Sequence, residues 1–278
     1  MYSNEKYDII ILAGQSNAEG FGLGDLKHKF NPKNKIFILE DKNRKSIFFD
    51  EKGLLRVDKQ FDPNIILAKE YENENGEKLG NFSLTFAEEY LKKGFLKSGR
   101  KLLIVYSAIG GTGFAKCEWG KTAVLQERMF DMVDYATSLN KDNRVVAFLW
   151  HQGECDAFEN EDLSLKTKEK YYYEKFSYLV KQVKSKYSAD IPVIAGGFVS
   201  EWRLSGFEKQ CETINKATKK VLKEQGGLFV ETKDLLSNNE VVNNGDNIHF
   251  SKKSLYCLGR RYFNAYKKIV NNKKQIIT

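Results

Sequence analysis

The 278-residue chain has three prolines, Pro32, Pro63 and Pro192, and three histidines, His28, His151 and His249. With so little proline there is no Pro/Gly/Ser-rich linker, and one domain is the better expectation. With so few histidines, an imidazole base can come from only three places. Four cysteines, Cys117, Cys155, Cys211 and Cys257, form no CxxC pair. Neither a zinc site nor a disulfide framework is expected, and free structural thiols are the default. No apolar run approaches the roughly 18 residues a membrane span needs. The polar start MYSNEKYD precedes only the short apolar run Ile9–Ala13, which does not fit a signal peptide. The chain as given therefore reads as cytoplasmic, with no membrane partner. No block of like charge occurs. The net charge of +8 comes from lysines spread among acidic neighbours, a solvated surface rather than a nucleic-acid site.

What is present is an alternation of strand and helix signals. Residues 8–13, 101–108, 144–150, 191–199 and 227–232 are apolar runs that read as strands. Residues 82–93, 122–139, 167–187, 207–225 and 251–271 carry helical periodicity; Tyr172, Phe176, Leu179 and Val183 form one stripe of the third. Strands alternating with helices predict βαβ units and an α/β fold, a central parallel sheet covered on both faces. Residues from about 20 to 80 break the rhythm. They are expected to form an insertion after the first strand, with a small hairpin built from pieces such as KIFIL and SIFF.

In such a sheet, ligands bind beyond the carboxyl ends of the strands. Polar clusters follow the first three strands: Gly14-Gln15-Ser16-Asn17, Gly110-Gly111-Thr112-Gly113, and Trp150-His151-Gln152-Gly153-Glu154-Cys155-Asp156. A fourth, Gly245-Asp246-Asn247-Ile248-His249, precedes the last helix. Their chemistries are complementary. A serine hydroxyl needs a base to take its proton. His249 has Asp246 three residues before it, close enough to fix the imidazole tautomer. The Ser16 N–H, a glycine N–H of the second cluster and the Gln152 amide are candidate oxyanion donors. No GxSxG elbow occurs.

These four blocks, in this order, resemble the SGNH (GDSL-like) hydrolases, and among them the sialate O-acetylesterase-like carbohydrate esterases (carbohydrate esterase family 6-like). The matching segments are GQSN (14–17), GGT (110–112), WHQGECD (150–156) and DNIH (246–249). They span most of the chain. The resemblance implies a flavodoxin-like three-layer α/β/α sandwich and a serine esterase acting on an acetylated carbohydrate, without cofactor or metal. It implies Ser16 as nucleophile, His249 as general base and acid, and Asp246 as its partner. The oxyanion hole would draw on Ser16, Gly110 or Gly111, and Gln152. Gln15, Asn17, His151 and Glu154 are candidate substrate contacts, while Glu154 and Asp156 are also expected to brace the loop.

Blander readings stand beside these. Asp246 could merely cap the last helix, a task for which Ser251 competes. His151 with Glu154 and Asp156 could outline a metal site, but a loop does not guarantee that such ligands align. Phe114, Trp119 and Trp202 could stack on a sugar or lie in the core. Cys155 could be redox-sensitive or simply a small buried side chain. The alternatives to a carbohydrate esterase are an SGNH lipase or thioesterase for longer acyl chains, and a non-catalytic carbohydrate-binding protein.

Overall fold

Every residue from Tyr7 to Gly14 of the first strand, β1 (Lys6–Gly14), is buried. Successive strand side chains point to opposite faces, so this strand must be covered on both sides. The computed structural model describes residues 4–159 and 162–277. After β1 come α1 (Ser16–Glu19), β2 (Ile36–Asp41), β3 (Ile47–Phe49), β4 (Leu55–Val57) and β5 (Pro63–Leu67). Then follow α2 (Phe82–Lys92), β6 (Arg100–Tyr106), α3 (Val124–Ser138), β7 (Arg144–His151), α4 (Glu154–Phe158) and α5 (Leu165–Lys186). The last third holds β8 (Val193–Gly196), α6 (Ser200–Trp202), α7 (Glu208–Glu224), β9 (Leu228–Val230), α8 (Asn238–Val242) and α9 (Lys252–Ile277).

The main sheet runs β5-β2-β6-β1-β7-β8-β9, and every pairing is parallel except β2 with β5. β1 lies between β6 and β7, and the chain builds outward from it in both directions. The carboxyl end of β1 is therefore a topological switch point, where the loops after β1, β6 and β7 meet. Helices α2 and α9 pack together, as do α5 and α7, and both α7 and α9 touch β8 and β9. Tyr187, at the end of α5, donates to Phe130 O and Asp134 Oδ1 of α3. The stripe expected on α5 is buried as read from its period. Each such side chain contributes about 1.5–3 kcal/mol when removed from water.

The segment from 20 to 80 departs from the expectation. KIFIL is the heart of β2, a member of the main sheet paired to β6, and β5 closes that edge in antiparallel sense. Only β3 and β4 form a separate two-stranded hairpin. The stretch thus gives two strands, β2 and β5, to the main sheet, while the β3–β4 hairpin stands apart from it as expected. Its strand was hard to read because one short apolar run stands among charged residues.

Phe114, Trp119 and Trp202 are core residues, at most 6% exposed. Phe114 and Phe176 stack on Trp150, and Trp119 meets it edge-on. The four cysteines are free thiols; Cys155 is buried, and burial pushes its thiol pKa up, away from the reactive range. Among the described residues no helix is long and apolar enough to cross a membrane.

Candidate active site

The turn after β1 depends on Gly14. Its φ is +128°, and a Cβ there would lie 2.1 Å from His151 O, a contact no side chain tolerates. The glycine lets the Gln15 N–H donate to that carbonyl at 3.0 Å. Ser16 then opens the four-residue α1 and is 7% exposed. As the first residue of a helix its N–H has no intrahelical acceptor. Asn81 secures the other end of α1. Its amide donates to Ala18 O and Glu19 O, while its carbonyl oxygen caps α2 through Ser83 N.

His249 and Asp246 meet across one turn. The imidazole Nδ1 lies 2.9 Å from Asp246 Oδ2, and the His249 N–H donates to Asp246 Oδ1 at 3.2 Å. Burial works to raise the Asp246 pKa. Hydrogen bonds from His249 and Asn238 outweigh it and hold the carboxyl below its ordinary value. An ionised Asp246 fixes the proton on Nδ1 and leaves Nε2 as the basic nitrogen. Phe21 stacks on the imidazole at 5.2 Å. The capping alternative resolves against Asp246: Ser251 Oγ accepts from Ser254 N at the start of α9.

Two asparagines tie this histidine loop to the rest. Asn17 Nδ2 donates to Ile248 O at 3.1 Å and to Glu154 Oε1 at 2.7 Å, and Asn17 Oδ1 accepts from Phe250 N at 3.0 Å. The residue after Ser16 therefore grips both neighbours of His249. Asn238 donates to Asp246 Oδ2 and Phe21 O and accepts from Leu23 N. Asn238 and Asn81 belong to none of the four sequence blocks, and nothing in their local sequence distinguishes them from ordinary cap or turn residues.

Four expected substrate contacts are instead internal. Gln15, Asn17, His151 and Glu154 are all 3% exposed or less. Gln15 Oε1 accepts from Gln152 Nε2 and Cys155 N. His151 Nδ1 bonds the Tyr262 hydroxyl, which itself donates to Trp150 O. Burial lowers the His151 pKa to about 3, so the ring is neutral. Glu154 is buried beside Asn17, and burial raises its pKa. Asp156 accepts from Gln152 Nε2, Phe114 N and Ala115 N, which clamps the loop after β6 to α4. His151, Glu154 and Asp156 thus serve separate sets of partners.

The expected oxyanion donors fare differently from one another. The Gln152 amide is occupied by Asp156 Oδ2 at 2.6 Å, Gln15 Oε1 at 3.1 Å and Thr112 O at 3.3 Å, so it is a brace here and not a free donor. Gly110 does border Ser16: a Cβ on it would stand 3.5 Å from the serine Cβ. Its N–H, however, donates to Glu19 Oε2 at 2.6 Å. The next residue, Gly111, has a φ of +72° and is exposed. Glu19 escaped the sequence reading, although it lies three residues after Ser16 on the same helical turn, a spacing that shares a face.

Glu19 also pairs with Arg44 at 2.5 Å and helps line a cavity of about 480 Å³. Phe21, Tyr71, Tyr106 and Asp246 form further parts of its wall. Ser16 and His249 do not line it directly. The cavity adjoins them through Glu19, Phe21 and Asp246.

A family model described as carbohydrate esterase, sialic acid-specific acetylesterase matches residues 6–268. Among solved structures, NanS is 18% identical and superposes with a TM-score of 0.70 over 98% of this chain and 100% of its own. XAC1771, a carbohydrate acetylesterase from Xanthomonas citri, is 15% identical, with a TM-score of 0.62 over 95% of this chain and 57% of its own. Comparison with curated protein sequences gave no match. The two structures share the fold, and the family model spans nearly the whole sequence; the chain belongs to the carbohydrate esterase family of sialic acid-specific acetylesterases.

Proposed function

We propose that this esterase removes O-acetyl groups from a carbohydrate through an acetyl-enzyme formed on Ser16. The observation that carries the reading is the Asp246–His249 pair, held beside the Ser16 turn by Asn17. In this mechanism His249 Nε2 takes the Ser16 proton as Oγ attacks the acetyl carbonyl carbon. The tetrahedral intermediate collapses, the sugar oxygen leaves with the proton from His249, and an acetyl ester remains on Ser16. A water then attacks that ester with His249 again as base, releasing acetate and restoring the serine. Ser16, His249 and water supply every proton and nucleophile the cycle needs.

The Ser16 N–H is assigned to receive the oxyanion, and the Gly110 N–H borders the same position while donating to Glu19 Oε2. Each such donor contributes roughly 2.7–4 kcal/mol to transition-state stabilisation. Gln152 and Asp156 keep the Gly110 loop in register.

Hydrolysis of p-nitrophenyl acetate, butyrate and octanoate by the wild type and Ser16→Ala tests the reading. A small-acyl serine esterase gives fast acetate turnover that declines with chain length and falls by several orders of magnitude in the variant. A loss below about tenfold removes Ser16 from the mechanism. A preference for octanoate points instead to a lipase or thioesterase.

A further inference from the structure

We propose that the cavity beside Ser16 selects acetylated sugars without a carboxylate and discriminates against acidic ones such as a free sialic acid, with Glu19 as the central specificity-determining residue. The inference rests on the esterase reading above and adds to it the charge of the substrate.

The cavity wall carries six acidic residues, Glu19, Glu40, Asp41, Glu72, Glu74 and Asp246, and among the described residues one basic one, Arg44. Asp41 is compensated from behind by Arg128, whose Nε lies 2.7 Å away. Glu40 is held by Asn64 Nδ2 at 2.6 Å and the Tyr71 hydroxyl at 2.7 Å, neither of which is a cation. Glu72 and Glu74 are exposed at the rim.

Arg44 is the cation that a substrate carboxylate would seek, and it is already engaged. It pairs with Glu19 Oε1 at 2.5 Å, donates to Ala108 O at 2.6 Å and lies over the Tyr106 ring at 5.0 Å. The other Glu19 oxygen sits on the Gly110 N–H. An acidic sugar entering here meets the carboxylates of Glu40, Glu72 and Glu74 and, among the described residues lining the cavity, no basic side chain outside the Arg44–Glu19 pair. Its carboxylate also competes with Glu19 for Arg44, a side chain only 26% exposed. Like charges with no counter-ion are a repulsive specificity device. A neutral sugar meets hydrogen-bond acceptors and the rings of Phe21, Tyr71 and Tyr106, which suit hydroxyl groups and apolar ring faces.

The test compares 9-O-acetyl-N-acetylneuraminic acid with its carboxylate methyl ester, a pair that differs in one charge, by acetate release. The wild type is expected to favour the methyl ester by tenfold or more in kcat/KM. The rim variant Glu72→Gln/Glu74→Gln, which changes only exposed side chains, is expected to narrow that ratio at least threefold. Glu19→Gln, which removes the negative charge opposite Arg44, is expected to narrow it further or reverse it; the ratio within one variant cancels any common change in turnover. A wild type that prefers the free acid, or a ratio unmoved by all the substitutions, overturns the proposal. Parallel assay of p-nitrophenyl acetate separates the two failures. Ser16-dependent hydrolysis of it with a preference for the free acid overturns the charge selection alone. Absence of Ser16-dependent hydrolysis of all three esters overturns the esterase reading and this proposal with it.

Discussion

The Phe250 N–H donates to the Asn17 carboxamide oxygen at 3.0 Å, across 233 residues of sequence. With the partner bond from Asn17 Nδ2 to Ile248 O, one side chain next to Ser16 fixes the peptide groups on both sides of His249. Ser16 and His249, the proposed nucleophile and base, come from opposite ends of the chain, and Asn17 is the bolt between them.

Asn17→Ala should therefore loosen the His249 loop from the Ser16 turn without removing either proposed catalytic residue. It also leaves Glu154 Oε1, Ile248 O and Phe250 N without their buried partner, at about 1–3 kcal/mol for each unsatisfied group. The expected outcome is a loss of at least tenfold in kcat, with a lowered Tm. A near-normal kcat at a temperature where the variant is folded would show that the loop holds His249 unaided.

Asp246→Asn keeps the shape of the pair and removes its charge. The asparagine can offer an N–H where the carboxylate offers an acceptor, and so invites the wrong imidazole tautomer. The equivalent change in the Ser-His-Asp proteases costs about 10⁴ in kcat. A fall of 10²–10⁴ here is expected, with little change in Tm because the side chain is partly exposed. A loss under about fivefold on acetyl esters would mean that His249 does not depend on Asp246.

Glu118 carries a pH dependence that is separate from catalysis. It is 4% exposed, accepts from Gly113 N at 2.7 Å, and its Oε1 has no hydrogen-bond partner among the described residues. Burial raises its pKa to about 7, against the pull of the Gly113 N–H. A raised carboxyl pKa means that the folded state holds the proton more tightly than the unfolded one. Its contribution is complete below the ordinary carboxyl value of 4.5 and is lost as pH rises through about 7. At about 1.4 kcal/mol for each pH unit between the two values, this amounts to on the order of 3 kcal/mol. Glu118→Gln keeps an acceptor for Gly113 N and cannot ionise. Thermal unfolding from pH 5 to pH 8 should show a shallower decline in Tm for the variant than for the wild type. Parallel curves for the two proteins would remove Glu118 from the account.

Much of this protein was legible from its residues. The apolar runs of β1, β6 and β7 end in Gly-Gln-Ser-Asn, Gly-Gly-Thr and His-Gln-Gly-Glu, and local spacing alone put Asp246 within reach of His249. Fully apolar strands alternating with amphipathic helices also determined the sandwich, because such strands must be covered on both faces. β2 was misjudged because a short apolar run among charges carries little periodicity, and its place in the sheet is set by pairing with β6, more than sixty residues later.

The roles of the polar side chains were decided only in three dimensions. Gln15, Asn17, Gln152 and Glu154 have the composition of a binding site, yet each is turned inward to a partner distant in sequence. Glu19 reads as an ordinary helical acid until β6 brings Gly110 to it and the segment after β2 brings Arg44. A residue's type and spacing fix which bonds it can make. Which of them it does make depends on what the sheet edge places within about 3 Å of it, and that is a property of the assembled fold.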